Sequence, residues 1–361
     1  MRIESCSMAG AAVRYDGLDS WRGICALLVA LFHFPIVGVI RGNDLIGHSY
    51  LFVDFFFVLS GYVIGGRYEK TLPGETVSFL IRRVGRLWPL HVAILALFVA
   101  VSVVQGDIGD DERHSIPSIF TNLAMVHGLG IHANLTWNGP SWSISVEFLL
   151  YLLFAALALS PYRTWIYGTL ICGSLLILTQ WAPHGMASTY DYGLFRGIAG
   201  FFTGVLLARR KIVRLGTGAE ILTLAGVLGF VLSGTMQFLS PLVFGVAVTV
   251  FAGGTGAVSR VLNTKPMLLL GKWSYSIYMV HAVVVAVIWA LAGRLGLTIA
   301  GPYLRGSVTV ELAVAVVYLG VIVMTSALTY ALIEAPARDW FNRFASDVTA
   351  ARRERIAGAI R

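Results

Sequence analysis

The amino-acid sequence predicts an all-α integral membrane protein, a single bundle of about ten transmembrane helices with both termini in the cytoplasm. Three observations predict it. Hydrophobic residues make up 57% of the chain and charged ones only 13%, with a mean hydropathy of +0.76, too apolar for a soluble domain of ordinary charge content. Apolar runs broken by Gly, Pro and charge clusters fall at 22–40, 50–66, 84–104, 141–160, 164–182, 193–208, 217–233, 237–255, 273–293 and 308–333, most near the roughly 20 residues that cross a bilayer as a helix. Finally, Lys and Arg concentrate in alternate connections, as expected of short cytoplasmic loops.

Residues 1–20 read as a cytoplasmic N-terminal segment. The first apolar run begins near Trp21 without a small-residue cleavage site behind it, so it reads as a retained helix and not a signal peptide. The transmembrane domain occupies 21–337, and a basic cytoplasmic tail fills 338–361. The cytoplasmic side then holds Arg2, Arg14, the cluster from Arg67 and Lys70 to Arg82, Arg83 and Arg86, Arg163, the Arg209–Arg214 run, Arg260, Lys265, Lys272 and the tail. Only Arg41, Arg113, Arg294, Arg305 and Arg196 fall opposite. The pair of runs at 217–255 is parted by only a short Ser-Gly-Thr stretch, which leaves the helix count there open. An outer loop, 105–140, carries Asp107, Asp110, Asp111, Glu112, several His and Trp137. It is a candidate sugar-holding surface, with a solvated connector as the alternative.

A formal charge of +8 does not point to nucleic acid, because the basic residues lie between apolar runs and not on one face. Cys6, Cys25 and Cys172 are scattered, which supports neither a disulfide framework nor a metal site. Walker loops, GxSxG elbows and HExxH pairs are absent, and the spacings Gly61…Gly65 and Gly200…Gly204 read as close helix packing.

Ionisable residues at membrane depth are costly and mark functional candidates. Arg22 and His33 are eleven residues apart, which returns to nearly the same helix face with roughly 16 Å of rise, so both are expected to face one cavity, His33 near the bilayer middle. Glu147 lies within the fourth run at a depth that overlaps the His33 level. His281 lies at a similar depth in the ninth, and Ser276, five residues earlier, falls on a different face, which argues against a dyad. Arg82, Arg83 and Arg86 share a helix face and suit a polyanion such as a nucleotide diphosphate. Bland readings stay open beside these: snorkelling for Arg22, an interhelical hydrogen bond for His33, a structural partner such as Arg196 or Tyr151 for Glu147, a structural His281, and lipid phosphates for the arginine cluster.

Taken in order, these stretches resemble the membrane acyltransferase 3 family of sugar and polysaccharide O-acyltransferases. LDSWRGICALLVALFHF resembles its opening motif, an Arg and, eleven residues on, a His, here Arg22 and His33. VDFFFVLSGYVI and the following RxxR of Arg83 and Arg86 are similar to its next signature, WSISVEF to the WSxxxE that ends at Glu147, SYSIYMVH to a late Ser-x4-His, and IEAPAR to the close, with Glu334, Pro336 and Arg338. The resemblance covers most of the chain. It implies a multi-pass protein of the bacterial inner membrane, with acyl-CoA (acetyl-CoA by family frequency) as donor substrate, no permanently bound cofactor and no metal. The acceptor it implies is a hydroxyl of an envelope or secreted carbohydrate such as exopolysaccharide or O-antigen. It assigns catalysis to His33, Arg22 and Glu147, donor binding to Arg83, Arg86 and Arg82, and supporting roles to Asp19, Trp142, Ser143, Ser276 and His281. Expected partners are acyl-CoA, the carbohydrate acceptor, membrane lipids and polysaccharide-assembly proteins, with no nucleic acid. Direct transfer with His33 as general base and an acyl-imidazole intermediate both remain open. The alternative class is a transporter of sugars or lipid-linked glycans that uses the buried Arg, His and Glu as a relay.

Overall fold

The computed structural model describes residues 15–69 and 72–359; Arg2, Cys6, Arg14 and Lys70, named above, lie outside the described residues. Every apolar run is helical. The helices are α1 (Asp16–Phe32), the short α2 (Asp44–Gly47), α3 (Phe52–Tyr68), α4 (Leu72–Gln105), the short α5 (Ile116–Leu123), α6 (Trp142–Leu157), α7 (Arg163–Gln180), α8 (Gly193–Leu207), α9 (Thr217–Ser233), α10 (Ser240–Ala252), the short α11 (Ala257–Leu262), α12 (Lys265–Ala290), α13 (Val308–Thr329) and α14 (Ala335–Ala359). A π-helical turn, Tyr330–Glu334, joins α13 to α14. The sheet among the described residues is one hairpin, β1 (Thr298–Ala300) and β2 (Tyr303–Arg305), antiparallel with Ile299 opposite Leu304.

Boundaries depart from the sequence expectation where local chemistry overrides hydropathy. The first run was expected to be helical over 22–40, but α1 stops at Phe32 because Pro35 lacks a donor and biases the residue before it away from the helical region. α4 starts well before 84, since nothing between Gly74 and Arg86 breaks a helix; Arg82, Arg83 and Arg86 therefore sit within it and not at its start. The region 217–255 resolves into two helices because Gly234 adopts φ +60 at the end of α9, a left-handed cap that glycine takes without strain. Residues 338–352 of the basic tail continue as helix α14, seated on α4 with Ser78 Oγ donating to the Ala345 carbonyl at 3.1 Å.

Five helical stretches are long and apolar enough to cross a membrane: Ser49–Tyr68, Gly74–Gln105, Gly139–Leu157, Lys265–Ala290 and Val308–Arg352. Gly193–Leu207, Thr217–Ser233 and Gln237–Ala252 are apolar but shorter. At 1.5 Å per residue, the 15 residues of α8 reach only about 22 Å, less than a hydrocarbon core of about 30 Å. The structure is thus that of a helical membrane protein with five stretches of full crossing length among the described residues.

Glycine sets the two closest helix contacts. Gly61 of α3 meets the Phe201 backbone and Gly204 of α8 meets Val58 and Tyr62, where any Cβ would collide with main chain, as the small-residue spacing predicts. Gly23 of α1 lies on Leu270 and Gly271 of α12, and ten residues further along the same two helices His33 reaches His281. α1 and α12 therefore run side by side in the same direction. The strand after α1 is pinned: Ile36 bridges Leu304 in parallel, and buried Glu311 accepts from the Val39 and Ile40 amides at 2.9 and 2.8 Å.

Candidate active site

A cavity of about 240 Å³ opens between α1, α3, α4, α6 and α12. Along α3 its wall runs from Ile64 to Val53, which at 1.5 Å per residue is roughly 16 Å. The end nearer Ile64 is charged. Arg22 enters from α1 and is held by Asp19 one turn earlier, Nη1 to Oδ1 at 3.5 Å. Arg83 and Arg86 enter from α4, three residues apart and so on one face. Arg86 lies 3.5 Å from Glu334 of the π-helical turn, whose other oxygen accepts from Ser276 at 2.8 Å. The Arg83 guanidinium is framed by Tyr68, Phe79 and Tyr151 at 5.8, 5.8 and 5.7 Å, and its buried Nε has no hydrogen-bond partner.

Midway along the cavity stands Glu147, which accepts from Ser60 at 2.6 Å and from the hydroxyl of Tyr151. The far end is aromatic and apolar, closed by Phe56, Phe57 and Tyr278 with Ser143 beneath. Beyond Tyr278 lie the two imidazoles. The rings of His33 and His281 are 5.0 Å apart, and each directs Nδ1 at the carbonyl four residues earlier: His33 to Val29 at 2.9 Å, His281 to Ile277 at 3.4 Å. A carbonyl only accepts, so these bonds assign the proton to Nδ1 and leave Nε2 as the basic nitrogen. The His281 Nε2 is buried and unpartnered.

Of the residues singled out in the sequence, Asp19, Arg22, Arg83, Arg86, Ser143 and Glu147 converge on this one cavity. Five do not line it, His33 and four others. Arg82 points elsewhere on α4, Trp142 packs on Gly193 with the Arg196 guanidinium 5.4 Å from its ring, Ser276 serves Glu334, and His281 lies behind Tyr278. The expectation that Arg22 and His33 face one cavity needs correction. Eleven residues do return to one helix face, but α1 ends at Phe32, so His33 sits on its terminal cap with φ −86° and ψ 0° and lies at the helix end, past the wall. Glu147 likewise meets Ser60 and Tyr151 in place of His33, and Arg196 pairs with a residue other than Glu147.

That residue is Asp54, which sequence reasoning passed over. It forms two bonds with Arg196, Nε to Oδ1 at 3.1 Å and Nη2 to Oδ2 at 3.2 Å, with Ser240 donating to Oδ2; both side chains are fully buried. A carboxylate in the apolar stretch VDFFF was itself a visible signal, because burial of such a group demands a partner. Glu334 as the partner of Arg86, 248 residues away in sequence, carried no such local mark. The outer loop also differs from an open sugar platform: Trp137 is 7% exposed and donates to Ser118 at 2.8 Å. Among the described residues no cluster of three or more His, Cys, Asp or Glu side chains could hold a metal, and Cys25 and Cys172 are free thiols.

Apolar helices of crossing length around a cavity lined by Arg22, Arg83, Arg86, Asp19 and Glu147 define a helical membrane protein with a charged site between its helices. Residues 15–334 match the family model described as an acyltransferase domain, and the chain belongs to that family. Relatives agree. A protein of Komagataeibacter xylinus named as a membrane-bound transacylase, BcsY, is 26% identical over 91% of this chain and 84% of its own. Protein 2 in the picA locus of Rhizobium radiobacter is 34% identical over 39% of this chain and 81% of its own. O-acetyltransferase OatA of Staphylococcus aureus is 23% identical over 89% of this chain, which spans 57% of OatA's length. No solved structure matches the chain. The protein is a membrane acyltransferase.

Proposed function

We propose that the protein moves an acyl group, acetyl first, from cytoplasmic acyl-CoA to a hydroxyl of an envelope or secreted carbohydrate. One observation carries this reading: Arg22, Arg83 and Arg86 line the same end of one cavity whose walls beyond them are largely apolar. Diphosphate is the ligand chemistry that several guanidiniums recognise with bidentate bonds, and a long apolar slot beyond them suits a thin arm that ends in a thioester. The names of BcsY, a transacylase, and OatA, an O-acetyltransferase, support acyl transfer to oxygen.

The excess of Lys and Arg near the arginine end of the cavity favours the cytoplasm for that side and for both termini, with ten helices embedded in a bacterial inner membrane and the shorter ones thinning the bilayer locally. CoA phosphates bind Arg83 and Arg86, with Arg82 an outer contact for phosphate or anionic lipid. The acceptor arrives from the far side, where the polysaccharide-assembly proteins that would supply it are also expected. His33 Nε2 takes the proton of the sugar hydroxyl as its oxygen attacks the thioester carbonyl; the C–S bond breaks, and the proton passes to the leaving thiolate to give free CoA and an ester. Arg22 stands at the charged end of the slot beside Arg83 and Arg86, where it adds a third guanidinium for the anionic groups of the donor. Glu147, tied to Tyr151 and Ser60, positions the wall that the arm slides along.

Membrane vesicles carrying the His33→Ala protein and given radiolabelled acetyl-CoA test the scheme. Incorporation of label into carbohydrate should fall by about 10² or more while the amount of folded protein is unchanged. Normal incorporation by this variant would remove His33 from the chemistry.

A further inference from the structure

The arginine cavity and the imidazole pair do not meet; one aromatic ring stands between them. Tyr278 faces the cavity with the edge of Phe56 against it, centroids 5.9 Å apart and planes at 86°, and its other side touches His281 at 5.7 Å. His281 leads directly to His33. The ring is fastened at both ends. Its Cα belongs to α12, and its hydroxyl reaches the turn ahead of α6, donating to the Pro140 carbonyl at 2.9 Å and accepting from Ser143 at 2.7 Å. Pro140 is held in a helical turn that runs straight into α6, so neither end of the tyrosine moves cheaply.

We infer that Tyr278, backed by Phe56, is the specificity-determining residue for the acyl chain. The inference rests on the proposed entry of acyl-CoA past the arginines. On that path the acyl group is the leading end of the donor and reaches the Phe56–Tyr278 edge before it reaches His33. A two-carbon group needs only a narrow gap beside the ring. A longer chain must displace a buried side chain that is 5% exposed and bound by two hydrogen bonds.

The test uses membrane vesicles from the producing cell without its own gene copy, so that unmodified acceptor is present. Full-length wild type, Tyr278→Ala and Phe56→Ala are each supplied with radiolabelled acetyl-, butyryl- and hexanoyl-CoA, and label in carbohydrate is measured. A hydrophobic pocket separates substrates by about tenfold or more per methylene. Wild type should therefore prefer acetyl strongly, and Tyr278→Ala should raise the hexanoyl-to-acetyl ratio by about tenfold or more, with Phe56→Ala changing it in the same direction. If Tyr278→Ala does not accumulate in the membrane, the Phe56→Ala ratio decides. Ratios within about twofold of wild type in the variants that accumulate overturn the inference and leave the donor reading standing. A wild-type protein that transfers nothing from any CoA thioester overturns the donor reading itself, and this inference with it.

Discussion

Asp54 and Arg196 illustrate how a single buried pair controls the frame that carries the cavity. Their carboxylate and guanidinium are fully buried, and Arg196 also donates to the carbonyls of Ser188 and Tyr50 at 2.7 and 3.3 Å, so one side chain ties α8 to α3 and to two connecting segments. Removing one charge leaves the other stranded, which costs about 3–5 kcal/mol. Asp54→Asn should lower the midpoint of thermal unfolding in detergent markedly; an unchanged midpoint would show the pair to be dispensable. The same logic explains why Arg86 is tolerated beside the membrane slot. Glu334 neutralises it without occupying its whole fork, which leaves donors for a ligand. The sequence singled out Arg22 and Glu147 as charges at membrane depth and Arg83 and Arg86 as a basic cluster, and packing brings all four to one cavity. Helix periodicity placed His33 on one face with Arg22, and periodicity says nothing of where a helix ends.

Among the helices, termini and turns decide what the apolar pattern leaves open. The π-helical turn at Tyr330–Glu334 inserts one extra residue per turn and aims Glu334 inward at Arg86 and Ser276. Pro35 ends α1 and sets His33 on its cap. The outer connection is ordered by a carboxylate: Glu112 accepts from the Ala133 amide at 2.7 Å and from Asn134 at 2.9 Å. Those bonds, the Ala133 amide first, hold the Glu112 carboxyl below its ordinary value. A depressed native value means that the contribution is present above the ordinary carboxylate range and is lost as pH falls through the lowered one. Protection of the Ala133 amide against hydrogen exchange, corrected for intrinsic rates, should hold from pH 7 to about pH 5 and decline below about pH 4. Protection that is flat across that range would remove Glu112 as the latch.

The bundle as a unit joins a charged entrance, an aromatic barrier and an imidazole pair in series, with α1 supplying Arg22 and His33 and α12 supplying Tyr278 and His281. On the proposed function the entrance recognises acyl-CoA before any chemistry, so binding alone should register. Acetyl-CoA at about 100 times its dissociation constant should stabilise the folded protein by about 2.7 kcal/mol and raise its unfolding temperature in detergent. Arg83→Ala combined with Arg86→Ala should abolish that rise, whereas a sugar transporter has no reason to respond to the ligand. A wild-type unfolding temperature indifferent to acetyl-CoA would count against the donor assignment. What the chain order contained was the material of the fold: apolar content that demands a bilayer, helices that satisfy their own backbone there, glycines that let α3 and α8 touch, and the motifs that mark its family. Which charges meet was settled by packing. Arg86 finds Glu334 and Asp54 finds Arg196 across 248 and 142 residues, and Tyr278 comes to stand before His33, because a group buried away from water takes whatever partner the assembled helices bring within reach, and sequence distance does not enter that energy.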